Sequence, residues 1–309
     1  MITSFFRKST PINYTAIILG LLFLFFYYQL KHATADNSLY DIILKCVLLV
    51  VLFASFFLTN FILKKNGLSK DSAYGVFFFL LFLMFFPGIL NNTPLLLSNF
   101  FVLLAMRRII SLKSLKASKE KIFDASLWVF IACLFHFWSI LYIALIFVAI
   151  LFHVARDYRN WFLPILAFFT IAILFVGSAI FLNKQWIESL LANSVIDLRL
   201  HYFVNNYQNI AFSIYATIGL FFLVVLLLTL SNRPLILHPT YKKVISALVI
   251  GSVVFAVSPN KSNDLLVYTF APLAMITTTY FETAQAYWKR EVVLWILLSA
   301  ALFSFITQS

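Results

Sequence analysis

Residues 122–152 read IFDASLWVFIACLFHFWSILYIALIFVAILF, an apolar run of 31 positions whose one formal charge is Asp124. A single helix of that length would be about 46 Å long, against a bilayer hydrocarbon core of about 30 Å. Either one long tilted helix crosses here, or two short helices turn at Phe135-His136-Phe137-Trp138, where polar ring atoms interrupt the run. The two readings place every later loop on opposite sides of a membrane, so loop charge separates them. With two crossings, 18 of the 23 Lys and Arg residues share one side, Lys31, Lys184, Arg199 and Lys261 take the other, and Lys45 lies within a helix. With one crossing the division is 14 against 8. Cationic loops are retained in the cytoplasm, so the sharper division predicts two crossings. The expectation is an all-α bundle of eleven transmembrane helices, or ten if the run is one tilted helix, with a cytoplasmic N-terminus and an external C-terminus.

Composition supports that class. Of 309 residues, 63% are hydrophobic, 18% aromatic and only 11% charged, with a mean hydropathy of +0.97. A water-soluble domain carries roughly 25% charged residues, which argues against a soluble enzyme, a nucleic-acid-binding domain and a disordered tail. The net charge of +12 is read as a topology signal rather than as the footprint of a nucleic-acid partner. Cys46 and Cys133 both sit inside apolar runs, where small buried hydrophobes are the expected role. Arg7 and Lys8 precede an apolar run from Ile12 to Leu30 without a small-residue cleavage site, so the start reads as a retained first helix. Residues 1–309 are expected to form one transmembrane domain.

Charge at membrane depth is costly and usually functional, so the few acidic residues are sorted by location. Asp71, Glu120, Asp124, Asp157, Glu282 and Glu291 fall on the cytoplasmic side, mostly beside Lys or Arg, as expected of solvated partners. The outer side holds the rest, in three loops. The first contains Asp36 and Asp41, with Lys45 four residues after Asp41 on the same helix face. Lys45 either snorkels toward Asp41, or binds an anion while Asp36 or Asp41 serves as general base. The long loop, residues 183–209, spaces bulky apolar residues three and four apart, with Glu188, Asn193, Asp197 and Arg199 between them and His201 following. It predicts an amphipathic helix in the interface, either holding a lipid headgroup or closing the bundle end. In the ninth loop Pro259 ends a helix, Asp264 is placed to cap the next, and Pro272 is placed to kink it. Lys45, His136, Glu188, Arg199, His201, Lys261 and Asp264 are the candidate substrate-binding residues, and Asp36 and Asp41 the candidate bases.

The chain has no Walker loop, dinucleotide glycine motif, HExxH or Gly-x-Ser-x-Gly. No cofactor is expected, although outer carboxylates are compatible with a divalent cation. Seven glycines against 37 phenylalanines favour a rigid scaffold over sliding helices, which pack through small residues.

MITSFFRKSTPINY at residues 1–14, AMRRIISL at 105–112 and KIFDASLWV at 121–129 together resemble a family of uncharacterised polytopic inner-membrane proteins of Bacteroidota. The layout is also similar to that of C-type glycosyltransferases, which use polyprenyl-phosphate-linked sugars: an acidic first outer loop, many short helices, and a late outer loop with Lys261 before a helix containing Pro272. That similarity implies a base at Asp36 or Asp41 and a phosphate-binding cation at Lys261. The first loop is short, however, and lacks an Asp-Asp or Glu-x-Asp pair.

Three functions follow as expectations. The first is an inner-membrane enzyme of cell-envelope biogenesis acting at the outer face on a lipid-linked substrate, its partners being membrane lipids and a polyprenyl-phosphate carrier. The second is a non-catalytic subunit bound to other membrane proteins. The third is a small-molecule or lipid transporter, for which Lys45, His136 and Ser213 are the candidate sites at membrane depth.

Overall fold

Proline and asparagine punctuate the apolar runs, and helices begin where they stand. Pro11, Pro94 and Pro239 occupy first turns, where a missing N–H costs nothing. The side chains of Asn92 and Asn205 accept hydrogen bonds from the N–H groups of Leu95 and Tyr207, which would otherwise go unpaired. A computed structural model describes residues 2–32, 39–199, 205–284 and 286–308, and no strand occurs among them. The order runs α1 (Ile2–Phe6), α2 (Pro11–Lys31), α3 (Leu39–Lys65), α4 (Tyr74–Phe85), α5 (Thr93–Ile110), α6 (Ser118–Phe135) and α7 (Ile143–His153). It continues with α8 (Arg159–Leu182), α9 (Gln185–Ala192), α10 (Asn206–Thr229), α11 (His238–Val257), α12 (Val267–Thr283) and α13 (Tyr287–Gln308). Short 3-10 turns at Pro87–Asn91, Phe137–Tyr142 and Asn263–Leu266 lead out of α4, into α7 and into α12.

Among the described residues, seven helical stretches of 21 to 27 residues are long and apolar enough to cross a bilayer. The chain is a multi-pass membrane protein. α4 and the stretch Phe137–His153 are shorter apolar helices. Helix ends gather at two opposite places. At the basic end, Lys64 meets Asp71 at 3.7 Å, Arg108 meets Asp124 at 2.9 Å, and the buried Lys243 donates to the carbonyls of Ile109 and Ile110. At the far end, Gln29 donates to the carbonyl of Leu90, and Ser304 and Gln308 donate to that of Phe85.

The run at 122–152 folds back on itself. His136 is extended, with φ −147° and ψ 109°, and breaks α6 from the turn that leads into α7. Its Nε2 lies 3.0 Å from Ser258 Oγ at the far end, whereas Lys119 in the first turn of α6 pairs with Asp157 after α7 at 3.3 Å at the basic end. α6 and α7 are therefore an antiparallel hairpin.

Within 183–209, α9 is helical, residues 195–199 are irregular, and the backbone N–H of Asp197 pairs with the carbonyl of Val257. One expectation is corrected. The carboxylates at the basic end are not all solvated partners. Glu282 accepts from the hydroxyls of Ser69 and Ser72 at 2.6 Å and from the N–H of Lys70 at 2.9 Å, and Glu291 accepts from Thr3.

In a Cys46→Ser background, a membrane-impermeant maleimide is expected to label Phe135→Cys and Asn260→Cys from one face of sealed vesicles and Tyr158→Cys from the other. A long single crossing would leave Phe135→Cys in the hydrocarbon and unlabelled from either face. Glu282→Ala is expected to cost about 1–3 kcal/mol, read as a lower thermal midpoint in detergent, whereas the exposed Glu120→Ala should leave the midpoint unchanged.

Candidate functional site

The polar cavity at the far end starts from the close approach of a carboxylate to Gly88. A Cβ on Gly88 would lie 2.5 Å from Asp264 Oδ1, so the Pro87–Asn91 turn accepts the carboxylate against its bare backbone. Asp264 does not cap α12; it enters this cavity, hydrogen-bonded to the Ser262 side chain. Burial in the turn ahead of α12 pushes its pKa up to about 6.

Lys261, three residues earlier, is 8% exposed, and its ammonium donates to the carbonyl of Asp197. Residues 194–199 are thus strapped to the loop at both the N–H and the carbonyl of Asp197. Asn263 donates to the carbonyl of Gln208 at 3.0 Å, joining the loop to the start of α10. The cavity so enclosed measures about 330 Å³ and is lined by Tyr28, Gly88, Gln208, Lys261, Ser262, Asn263, Asp264 and Gln308. Lys261 and Asp264 share it without closing an ion pair with each other, since neither enters an ion pair among the described residues. A cation and a carboxylate with a pKa near neutrality in one recess can bind an anion and exchange a proton.

Beside the cavity lies an apolar groove of about 500 Å³ between α10, α11 and α12. Gly219 leaves room at its centre, and Leu220, Val249 and Val253, exposed by 63%, 48% and 42%, open it sideways. Tyr215, bonded to Thr269 Oγ1 at 2.7 Å, lies on its inner wall. The groove adjoins the cavity along two elements: Gln208 and Phe212 are one turn apart on α10, and Asn263 and Leu266 share a 3-10 turn.

The other candidates lie elsewhere. His136 faces a separate polar recess of about 170 Å³ with Asn92, Asn193 and Asn260, on the other side of Ser262. Glu188 and Arg199 are exposed, and Asp41 and Lys45 are half-exposed on the first two turns of α3, outside the cavity lining. Asp36 and His201 fall outside the described residues. The cavity adds Tyr28, Gly88, Gln208 and Gln308, which sequence reasoning did not single out; polar residues at the ends of apolar runs were the available signal. Among the described residues no three His, Cys, Asp or Glu side chains gather as a metal site.

A raised carboxyl pKa means that the folded protein holds the proton more tightly than the unfolded chain. The associated stability is full below the ordinary value of 3.8 and is lost as pH rises through about 6. The thermal midpoint of the wild type is therefore expected to fall between pH 4.5 and pH 7 by more than that of Asp264→Asn. Parallel profiles would show that the carboxyl is not buried.

No curated protein and no solved structure matches the chain. A family model described as a family of unknown function, DUF6427, matches residues 8–309. The chain belongs to the DUF6427 family.

Proposed function

We propose that this is an inner-membrane protein of cell-envelope biogenesis that holds a lipid-linked substrate with an anionic headgroup at the outer face. The observation that carries the reading is the proximity, along α10 and the turn before α12, of a polar cavity containing Lys261 and Asp264 to an apolar groove open to the side. An amphipathic molecule has the same two parts in the same order. A lipid tail entering past Val249 and Val253 would bury against Phe212 and Leu223 at roughly 0.8 kcal/mol per methylene. Its phosphate would then meet the Lys261 ammonium.

The membrane arrangement in this reading has eleven crossings, α2 to α8 and α10 to α13, with the basic end in the cytoplasm. The alternating direction of successive helices and the clustering of Lys and Arg at one end support it. The chemistry resembles that of C-type glycosyltransferases. Asp264 takes the role of base in place of Asp36 or Asp41, because it shares the recess with Lys261 and its pKa lies near the working pH. A polyprenyl-phosphate-linked sugar fits the pairing of a long apolar tail with a phosphate.

Lipids extracted from protein purified in mild detergent are expected to include a polyprenyl-phosphate species. Its yield should fall about tenfold or more in Lys261→Gln, the loss of one charge-assisted contact. Gly219→Phe, which fills the groove, should lower it as well. Yields unchanged in both variants would overturn the reading.

A further inference from the structure

A second crevice lies between α10 and α12 near the basic end, and nothing in the proposed function uses it. It measures about 140 Å³, with Phe222, Leu226, Ile276 and Tyr280 among its walls and Arg233 at its rim. The Arg233 backbone is held from both sides: its N–H donates to the carbonyl of Leu230, and its own carbonyl pairs with His238 Nε2, each at 3.0 Å. The guanidinium reaches across to α12, where Nη2 donates to Thr283 Oγ1 at 2.9 Å.

That threonine is a weak partner for a full charge, and its own hydroxyl proton goes to the carbonyl of Thr279. Among the described residues Arg233 enters no ion pair. The carboxylate next to it along the chain of α12, Glu282, is committed to Ser69, Ser72 and Lys70. A guanidinium offers five N–H donors in a fork that matches a phosphate, and among the described residues this one has a single acceptor. A cation needed only for topology would serve equally well in water, as the exposed Arg156 does. Arg233 is instead half-buried at the mouth of an apolar crevice.

We propose that this crevice is a structural lipid site for an anionic phospholipid of the leaflet at the basic end. The phosphate sits on the Arg233 fork, and the first methylenes of an acyl chain lie between Phe222, Leu226 and Ile276. The site is on a different flank of α10 from the groove that includes Gly219, and at the opposite end of the bundle from Lys261. It is independent of the outer-face reading.

Native mass spectrometry of the full chain in detergent tests it with three probes: phosphatidylglycerol, phosphatidylcholine and inorganic phosphate. The wild type is expected to retain phosphatidylglycerol over phosphatidylcholine. Retention should fall at least about fivefold in Arg233→Gln and stay unchanged in Arg156→Gln. Val225→Phe, which keeps the charge and fills the half-exposed wall of the crevice, should lose the lipid too, and it decides the matter if Arg233→Gln fails to fold. Equal losses in Arg233→Gln and Arg156→Gln would reduce the effect to general surface charge and overturn the proposal. Displacement of the lipid by inorganic phosphate, or full retention in Val225→Phe, would also overturn it.

Discussion

Two helices buried over most of their length hold the rest of this bundle in place. α4 is buried from Tyr74 to Phe85, and α12 packs along it, buried from Val267 to Thr279. A helix apolar on every face has no preferred rotation in lipid, so its orientation comes from ring-to-ring contacts such as Phe78 with Phe281 and Phe79 with Phe270. The polar side chains inside this pair are closed on partners within the protein. Thr277, Thr278 and Thr279 bond to carbonyls of their own helix, and the Tyr268 hydroxyl donates to Ser98. Backbone and side-chain hydrogen bonds kept within the protein are what a bilayer demands of any chain that crosses it.

The length of α4 then decides where chemistry can happen. Twelve residues of helix cover about 18 Å, well short of a hydrocarbon core of about 30 Å. The Pro87–Asn91 turn follows this short helix, and the longer α2, α10 and α13 contribute Tyr28, Gln208 and Gln308 to the cavity that Gly88 of the turn lines. Asp264 occupies the floor of that recess because Gly88 leaves its backbone open there. Lys261 does two things at once: it lines the recess, and it fastens the 194–199 segment over the end of α11.

Much of the framework was legible in the sequence, because it follows from local quantities. Run lengths and loop charge were enough to anticipate the hairpin at His136, and the turn between Phe86 and Pro94 was marked by its own prolines and asparagines. The recess was harder to see, because it depends on residues far apart in the chain: Gly88 matters only through Asp264, and Gln308 only through Phe85. Reading Asp264 as a helix cap used the strongest local rule available, and a tertiary contact outweighed it. Glu282 failed as a solvated partner for the same reason. Its sequence neighbourhood offers Lys and Arg, yet its ligands come from a loop more than two hundred positions away. In 183–209 the amphipathic spacing was visible in the sequence, whereas the pair between the N–H of Asp197 and the carbonyl of Val257 is non-local and was not.

The isolation of α4 also constrains the order of assembly. Its packing partner α12 begins at Val267, so α4 leaves the ribosome long before the surface that will enclose it exists. Until then its ring of phenylalanines faces acyl chains, and its 12 residues are too few to hold a stable position across the bilayer. The final enclosure of α4 therefore depends on chain made much later, and until then only earlier neighbours such as α2 and α3 are available to pack against it.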